Sequence, residues 1–464
     1  MPETIPYSRQ IPISHETDVL VVGGGSAGLP AAVASARAGA RTMLVEQYGA
    51  LGGTGSLGLV GPFMTCYSGD GREQLIRGIF DELVRRMVAL GGAIHPSEIA
   101  PGSPYASFIV SRHGNVTPYD PEIYKLVADQ MVEESGVRLM LHTFFVDVLL
   151  DGRSVAGAVV VNKSGMQAVR ASVTVDCTGD ADVAALAGAP VTTGRARDGK
   201  TQPMSMFFRV GNVDSELVSE YRREHPSEPG LYAALVTEAA ARGEFTIPRD
   251  YVGLYQTTRK DEWRVNTSRI LGLDGSRAED LTRGAVEGRK QVHQLIRFFR
   301  KYCPGMSRSH VIDTGVQVGV RESRRIIGEH VLDLDDISQG REFPDVVARC
   351  GYGIDIHNPE GVGQARPAGI EAANDYEIPY RALLPLQVEQ LLVAGRCLSA
   401  SHEALGAVRV MPPCFATGQA AGLAAALATR LGVSPRGLPV GDLQKALLAA
   451  DVNLGARFAL PSTA

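Results

Sequence analysis

The chain has 464 residues, of which 44% are hydrophobic and 21% are charged, the composition of an ordinary globular protein. Because this length exceeds what one hydrophobic core usually supports, two domains are expected. The formal net charge of -5 provides no large basic surface, which argues against nucleic acid as a partner.

No apolar run in the sequence reaches the length that spans a bilayer. Residues Met1 to Glu16 are polar and lack the apolar core of a signal peptide. The sequence therefore predicts a cytoplasmic protein with no membrane partner, acting on a small-molecule substrate and compatible with a homo-oligomer.

The first elements predict a βαβ unit. Residues Asp18 to Val22 are an apolar run typical of a buried strand, and the alanine-rich stretch from Ser26 to Ala38 predicts a helix. Pro30 falls in the first turn of that helix, where a missing N–H is tolerated. Gly39 ends the helix, and Arg41 to Glu46 predicts the second buried strand.

A G-x-G-x-x-G motif of Gly23, Gly25 and Gly28 joins the first strand to the helix. The first glycine allows the tight turn, the second lets a pyrophosphate approach the backbone, and the third lets helix and strand pack closely. Glu46 lies 18 residues after the last glycine, near the spacing at which an acid binds ribose hydroxyls. The unit is therefore predicted to bind a dinucleotide whose phosphates face the helix N-terminus.

Helical spacing of apolar residues predicts a helix from Glu73 to Leu90, and Asp120 followed by Pro121 predicts the start of another that runs to about Glu134. Three extended runs then predict a β-meander: Thr143 to Leu150, Ser154 to Val161 and Gln167 to Val175.

The region from about Lys200 to Glu377 mixes helical and extended patterns and contains many arginines, so a second α+β domain is predicted there. The strand-like run Gln390 to Ala394 and the alanine- and glycine-rich helix Phe415 to Leu431 indicate that the chain then returns to the first domain. The predicted fold class is α/β: a discontinuous Rossmann-like domain of residues 14–200 and 380–432, a substrate or cap domain of residues 201–379, and a C-terminal helix and tail of residues 433–464.

The six cysteines do not form any C-x-x-C pair: Cys66, Cys177, Cys303, Cys350, Cys397 and Cys414. A redox-active disulfide needs paired thiols, and an iron–sulfur cluster needs four ligands, usually in tight runs. Buried free thiols are therefore predicted, and no metal site is predicted.

Three later motifs decide which dinucleotide is bound: Leu51 to Ser56, Val175 to Asp180 and Leu392 to Arg396. With the first glycine motif they resemble the FAD-dependent oxidoreductases of the glutathione reductase-like structural class, specifically the succinate dehydrogenase and fumarate reductase flavoprotein branch. The resemblance runs from about Asp18 to Ala428 and implies FAD as the cofactor.

By that resemblance, further residues contact FAD: Gly52, Gly53, Thr54, Val146, Thr178, Gly179, Asp180, Gly395, Arg396 and Gly418. The first three lie along the pyrophosphate and ribityl chain, Thr178 to Asp180 close over the adenosine side, and the backbone near Val146 contacts adenine. Arg396 stands where many relatives carry an acid. The helix that contains Gly418 aims its N-terminus at the flavin N1 and C2 carbonyl, where its partial positive charge stabilises the reduced flavin.

The run from Ser401 to Arg409 resembles a histidine-to-arginine segment that grips a substrate carboxylate in fumarate reductase relatives. His402 and Arg409 are thus candidate catalytic residues, with a structural or ion-paired role as the alternative. His357, before a proline turn in the second domain, is a candidate proton donor or acceptor, or an ordinary loop residue. Arg321 and Tyr352 are the next candidates.

Taken together, these patterns predict an enzyme that exchanges a hydride between a small organic substrate and flavin N5, with the substrate between the second domain and the flavin. A non-catalytic electron-transfer subunit is the alternative, and an NAD dehydrogenase leaves the late glycine and helix motifs unexplained.

Overall fold

The computed structural model describes residues 5–111, 113–365 and 367–458. Its strands are β1 Ile13–Val22, β2 Thr42–Val45, β3 Arg138–Met140, β4 Phe144–Asp151, β5 Ser154–Asn162, β6 Gly165–Asp176, β7 Val191–Thr193, β8 Phe208–Gly211, β9 Leu254–Gln256, β10 Trp263–Val265, β11 His310–Thr314, β12 Arg324–Ile326, β13 Val346–Cys350, β14 Tyr376–Pro379 and β15 Leu391–Val393. Its α-helices are α1 Gly28–Arg37, α2 Ile79–Ala89, α3 Pro121–Glu134, α4 Asp182–Leu186, α5 Ser215–Glu224, α6 Ala233–Ala241, α7 Ala278–Tyr302, α8 Leu334–Gln339, α9 His402–Val408, α10 Met411–Leu431 and α11 Val440–Ala449.

The main sheet has seven strands in the order β3-β2-β1-β6-β5-β4, with β15 also paired to β6. Strands β3, β2, β1, β6 and β15 are parallel, whereas β4 and β5 run antiparallel in the predicted meander. Val22 lies opposite both Val45 and Asp176, so β1, β2 and β6 end at one edge of the sheet. The α/β fold class and the βαβ unit are confirmed.

Close backbone packing of α1 against α10 covers this sheet. A Cβ on Gly418 would lie 2.1 Å from the carbonyl oxygen of Ala27, and a Cβ on Gly422 would lie 2.1 Å from that of Ala31. Because no side chain separates the two helices at these points, their backbones are in contact. From Met411 to Ala428 every residue of α10 is buried.

A second core surrounds the antiparallel sheet β11-β8-β10-β9 and helix α7. Its largest fully buried side chains include Phe208, Trp263 and Phe299. The chain enters and leaves this second domain through two adjacent segments, because Ser205 and Gly319 exchange backbone hydrogen bonds of 3.0 and 2.8 Å. This paired crossing is called the neck below.

The segment between β12 and β14 packs its apolar side chains into the first domain. Leu332, Ile337, Val347 and Ile378 belong to the same buried cluster as α1 and α10, although the sequence assigned them to the second domain. The domain boundaries stay a prediction. The end of the predicted C-terminal tail, residues 459–464, lies outside the described residues.

Helix α2 begins at Ile79, so the prediction of a helix from Glu73 was wrong over its first turns. Gly78 precedes it with a φ of 60°, and the Ile79 N–H donates to Gln419 Oε1 at 3.0 Å. The apolar spacing extends upstream of the helix because Ile76, in an irregular segment, is buried in the same core. At α3 the predicted cap is correct, since Asp120 Oδ1 accepts from the Glu122 N–H at 2.8 Å.

Among the described residues, no single helix has both the length and the hydropathy to cross a bilayer. Only α9 and α10 together pass such a test, and they are bent by 91° at the break between them.

Candidate cofactor and substrate site

One cavity of about 400 Å³ opens at the edge where β1, β2 and β6 end. Part of its lining comes from the predicted dinucleotide-binding residues: Gly23, Gly25, Glu46, Gly53, Thr54, Thr178, Gly179, Asp180, Gly395 and Arg396. Other lining comes from the segment Val60 to Met64, from β4, from the second domain, from the connection between β13 and β14, and from the segment around Arg409.

The glycine motif has the geometry that its sequence predicts. Gly23 has a φ of 97°, and a Cβ there would lie 2.5 Å from the carbonyl oxygen of Cys177. A Cβ on Gly28 would lie 1.6 Å from the carbonyl oxygen of Gly23, so this glycine closes the helix onto the strand. Gly25 instead borders the cavity, and the nearest heavy atom to its added Cβ is the Gly53 Cα at 3.9 Å. The free space at Gly25 would let a phosphate approach the backbone.

Glu46 is buried at the cavity wall and held by two backbone donors. Its Oε2 accepts from the Gly24 N–H at 2.6 Å and its Oε1 accepts from the Tyr48 N–H at 2.8 Å. Burial raises the pKa of this carboxyl above its usual value. Each carboxylate oxygen has a second lone pair, so the group retains acceptor capacity for ribose hydroxyls.

The other predicted cofactor residues divide into lining and supporting positions. Gly52, with a φ of 99°, donates its N–H to the Gly24 carbonyl at 2.9 Å and joins the two glycine loops, while Gly418 allows the contact between α1 and α10. Arg396 Nη2 donates to Asp180 Oδ1 at 2.9 Å. Val146 is 40% exposed and does not line the cavity; its neighbours Phe144 and Phe145 do.

These residues fit an FAD molecule. Ser26 lines the cavity next to the glycine motif, and its buried Oγ has no hydrogen-bond partner in the described part of the chain. Met411 and Cys414, from the first turn of α10, line the same cavity, so the N-terminus of that helix faces it.

The comparisons with known proteins agree with this fit. A family model described as FAD dependent oxidoreductase matches residues 18–447. The chain belongs to this family. FAD is therefore its cofactor, and the family assigns the protein to the oxidoreductases.

Solved structures similar to this FAD dependent oxidoreductase have low sequence identity. The p-nitrophenol 4-monooxygenase PnpA from Pseudomonas putida is 12% identical, with 96% of this chain and 86% of that one covered at a TM-score of 0.46. The myxobacterial chondrochloren halogenase CndH is 13% identical, with 93% and 78% covered at 0.46. A geranylgeranyl bacteriochlorophyll reductase-like protein from Thermoplasma acidophilum is 14% identical, with 94% and 82% covered at 0.41. None of these similarities bears on the substrate.

The remaining lining of the oxidoreductase cavity contains two of the three predicted catalytic residues, Arg409 and His357. Arg409 directly follows α9, and its Nη2 lies 3.0 Å from the Asp355 carbonyl oxygen and 3.4 Å from Asp355 Oδ2. Its Nε is buried and has no partner in the described residues. Arg409 therefore retains donor capacity beside the cavity.

His357 uses both of its ring nitrogens within the protein. Nδ1 lies 3.0 Å from Arg269 Nη2, which can only donate, so this nitrogen is the acceptor. Nε2 lies 3.3 Å from Asp355 Oδ2 and carries the ring proton of the neutral form. Burial, and next the positive charge of Arg321, lower the pKa of His357 well below 6.5. The histidine thus orients Asp355.

His402 lies behind the cavity and does not line it. Its Nδ1 is 2.9 Å from the carboxylate of Glu322, which also pairs with Arg325 in a buried group. The predicted catalytic residue His402 is therefore not placed to contact a substrate in this cavity. The alternative of an ion-paired role matches its position.

Sequence reasoning did not single out Asp355 or Arg249, which both line the cavity. Asp355 accepts hydrogen bonds from Gln364 Nε2 at 2.8 Å and from His357. Its carboxylate is therefore held in place by two residues of the connection between β13 and β14. Arg249 precedes β9 and has no local motif. The only available signal was the number of arginines in the second domain.

All six cysteines are buried and unpaired, as predicted. Cys414 lines the cavity and its Sγ donates to the Arg409 carbonyl oxygen at 3.3 Å. Burial raises the pKa of this thiol to about 12, so it is protonated at neutral pH.

We expect the Cys414→Ser variant to retain FAD and to be reduced at a rate within about threefold of the wild type, because serine keeps the same donor to Arg409. Stopped-flow flavin reduction, with and without a thiol reductant, measures this. A variant that binds FAD but is no longer reduced would assign the thiol a chemical role.

Proposed function

We propose that this FAD dependent oxidoreductase exchanges a hydride between a carbon atom of a small organic substrate and flavin N5. The observation that carries the proposal is one continuous cavity, which joins the FAD-binding residues to a charged wall built from the second domain and from the β13–β14 connection. The motif resemblance supports a place in the succinate dehydrogenase and fumarate reductase branch.

The bound flavin supplies N5 as hydride acceptor or donor. The protein supplies the proton chemistry and the orientation, and Asp355 is the group best placed for the proton. Burial alone would raise its pKa, but the electrostatic interaction and hydrogen bond with His357, and then the charges of Arg409 and Arg321, hold the pKa well below its usual range. The carboxylate is therefore ionised and able to accept a substrate O–H or N–H.

An ionised carboxylate of low pKa is a weak base, yet it is strong enough to accept the substrate proton in this reaction. A hydroxyl or amine proton becomes much more acidic as the neighbouring carbon loses a hydride, so the proton moves to Asp355 late in the step. His357 and Gln364 fix the orientation of the carboxylate oxygens during that transfer.

The Asp355→Asn variant is expected to bind FAD normally and to be reduced about 100-fold more slowly, because asparagine keeps the size but cannot accept the proton. Anaerobic stopped-flow absorbance of the flavin gives the rate. Asp335→Asn, at an exposed position in the first turn of α8, is the matched control and should reduce at the wild-type rate. Equal rates for all three proteins would remove Asp355 from the proton path.

The decisive experiment on the function is anaerobic bleaching of the flavin by a panel of hydroxy acids, amines, polyols, NADH and NADPH. Bleaching by an organic donor supports the proposal and identifies the substrate class. If none of the donors reduces the flavin while a low-potential redox protein does, the chain is the alternative, a non-catalytic electron-transfer subunit.

A further inference from the structure

Three arginines face the substrate part of the cavity, and their charge is poorly balanced. In the described part of the chain, Arg249, Arg321 and Arg409 line it with a single carboxylate, Asp355, among them. The three side chains come from separate places: the segment before β9, the exit side of the neck, and the end of α9. Their convergence is therefore a property of the tertiary fold.

Arg321 is buried, with 9% of the residue exposed. Its Nη1 donates to the Pro203 carbonyl at 2.7 Å and to Ser205 Oγ at 2.6 Å, and its Nη2 donates to Asn266 Oδ1 at 3.2 Å. All of these acceptors are neutral. Buried arginines are rare unless they are paired with an acid, and this guanidinium has only neutral hydrogen-bond partners. An anionic ligand would supply the missing negative charge.

Arg249 shows the same pattern. Its Nε donates to the Thr267 carbonyl at 3.2 Å and its Nη2 donates to the Asn266 carbonyl at 2.7 Å, again with neutral acceptors. Asn266 thus receives hydrogen bonds from both Arg249 and Arg321 and holds the two guanidinium groups near one another.

The electrostatics agree with this geometry. Burial, followed by the charges of Arg409, Arg249 and Arg269, lowers the pKa of Arg321 well below its usual value. Arg269 lies behind His357, and burial together with Arg249 lowers its pKa to about 10. Guanidinium groups stay protonated in proteins, so the wall keeps an excess positive charge that an anion would neutralise.

We propose that Arg321, flanked by Arg249 and Arg409, binds an oxyanion group of the substrate, which makes the substrate a small organic acid and not a neutral polyol or an amine. This assignment rests on the proposed function, because it places the anion in the same cavity as the flavin. The planar fork of arginine suits a carboxylate or a phosphate, which it binds through two parallel hydrogen bonds.

The test uses the FAD-loaded protein and simple probes: sodium acetate, inorganic phosphate, sodium chloride at matched ionic strength, and acetamide as the neutral counterpart of acetate. Binding is read from the shift of the thermal unfolding midpoint and from the perturbation of the flavin absorption spectrum. We expect acetate, phosphate or both to bind saturably, and acetamide and chloride to have no effect. The stronger anion indicates whether the natural group is a carboxylate or a phosphate.

The Arg321→Met variant is expected to weaken anion binding about 10- to 100-fold while FAD content is unchanged, and Arg321→Lys should be intermediate because it keeps the charge without the fork. Arg283→Met is the matched control, since this α7 arginine is exposed and pairs with Asp280. Arg249→Met provides the second variant if Arg321→Met does not fold.

Two results would overturn the anion site: acetamide acting like acetate in the wild type, or anion binding unchanged in both arginine variants. These outcomes are separate from failure of the proposed function. If no donor bleaches the flavin but acetate binding depends on Arg321, the anion site stands and the hydride reaction does not. If a neutral donor bleaches the wild type and Arg321→Met equally, the reaction stands and the anion site does not.

Discussion

Replacing Glu46 by lysine is expected to give a folded protein that purifies without FAD. In the wild type both carboxylate oxygens of Glu46 are held at the cavity wall by backbone N–H groups of Gly24 and Tyr48. Lysine would remove the acceptor for the ribose hydroxyls and place a second donor against those N–H groups. We expect FAD affinity to fall at least 100-fold, measured as flavin absorbance per chain after dialysis.

The control is Glu133→Lys, which makes the same charge change at an exposed position in α3 and should keep full FAD content. Circular dichroism of both variants separates loss of cofactor from loss of fold. A Glu46→Lys protein that retains one FAD per chain would show that the ribose is bound elsewhere.

The second large effect is expected for Gly422→Ala, a change of one methyl group in the contact between α1 and α10. The new Cβ would lie 2.1 Å from the backbone carbonyl oxygen of Ala31, and a backbone atom cannot rotate away as a side chain can. The two helices must separate, so we expect the free energy of unfolding to fall by about 3 kcal/mol. Denaturant titration of the FAD-loaded protein measures it.

Gly441→Ala is the matched substitution, because Gly441 lies in α11 and an added Cβ would have no heavy atom within 4 Å. Alanine in a helix is favoured over glycine by about 0.5 to 1 kcal/mol, so this variant should be neutral or slightly stabilised. Similar losses in both variants would mean that the cost lies in the helices themselves and not in their contact.

The parts of the fold that could be predicted from the sequence are those whose signals are local. The βαβ unit follows from an apolar run, a glycine turn and an alanine-rich helix in direct succession, and Asp120 with Pro121 marks the start of α3 without reference to any other segment. The start of α2 could not be predicted, because the residue that receives its first N–H is Gln419, more than three hundred residues away.

The difference between local and long-range signals also explains which site residues could be predicted. The FAD residues form short motifs with a fixed spacing, so most of them could be placed on the cavity wall in advance. Arg249, Arg321 and Asp355 come from separate segments, and only the packing of the second domain and of the β13–β14 connection against the first domain brings them together. His402 shows the limit of motif reading, since its neighbour in space is Glu322 and its side chain points away from the cavity.

The neck gives the second domain a natural pivot. Ser205 and Gly319 join the two crossing segments through a pair of backbone hydrogen bonds, and Arg321 lies two residues after Gly319. Any rotation of the second domain about that pair would carry Arg249 with the rotating part, while Arg409 stays with the flavin-binding part. The distance between the two arginines would then change with the angle of rotation, so an anionic substrate bound to both, as proposed above, would hold the two domains in one relative orientation.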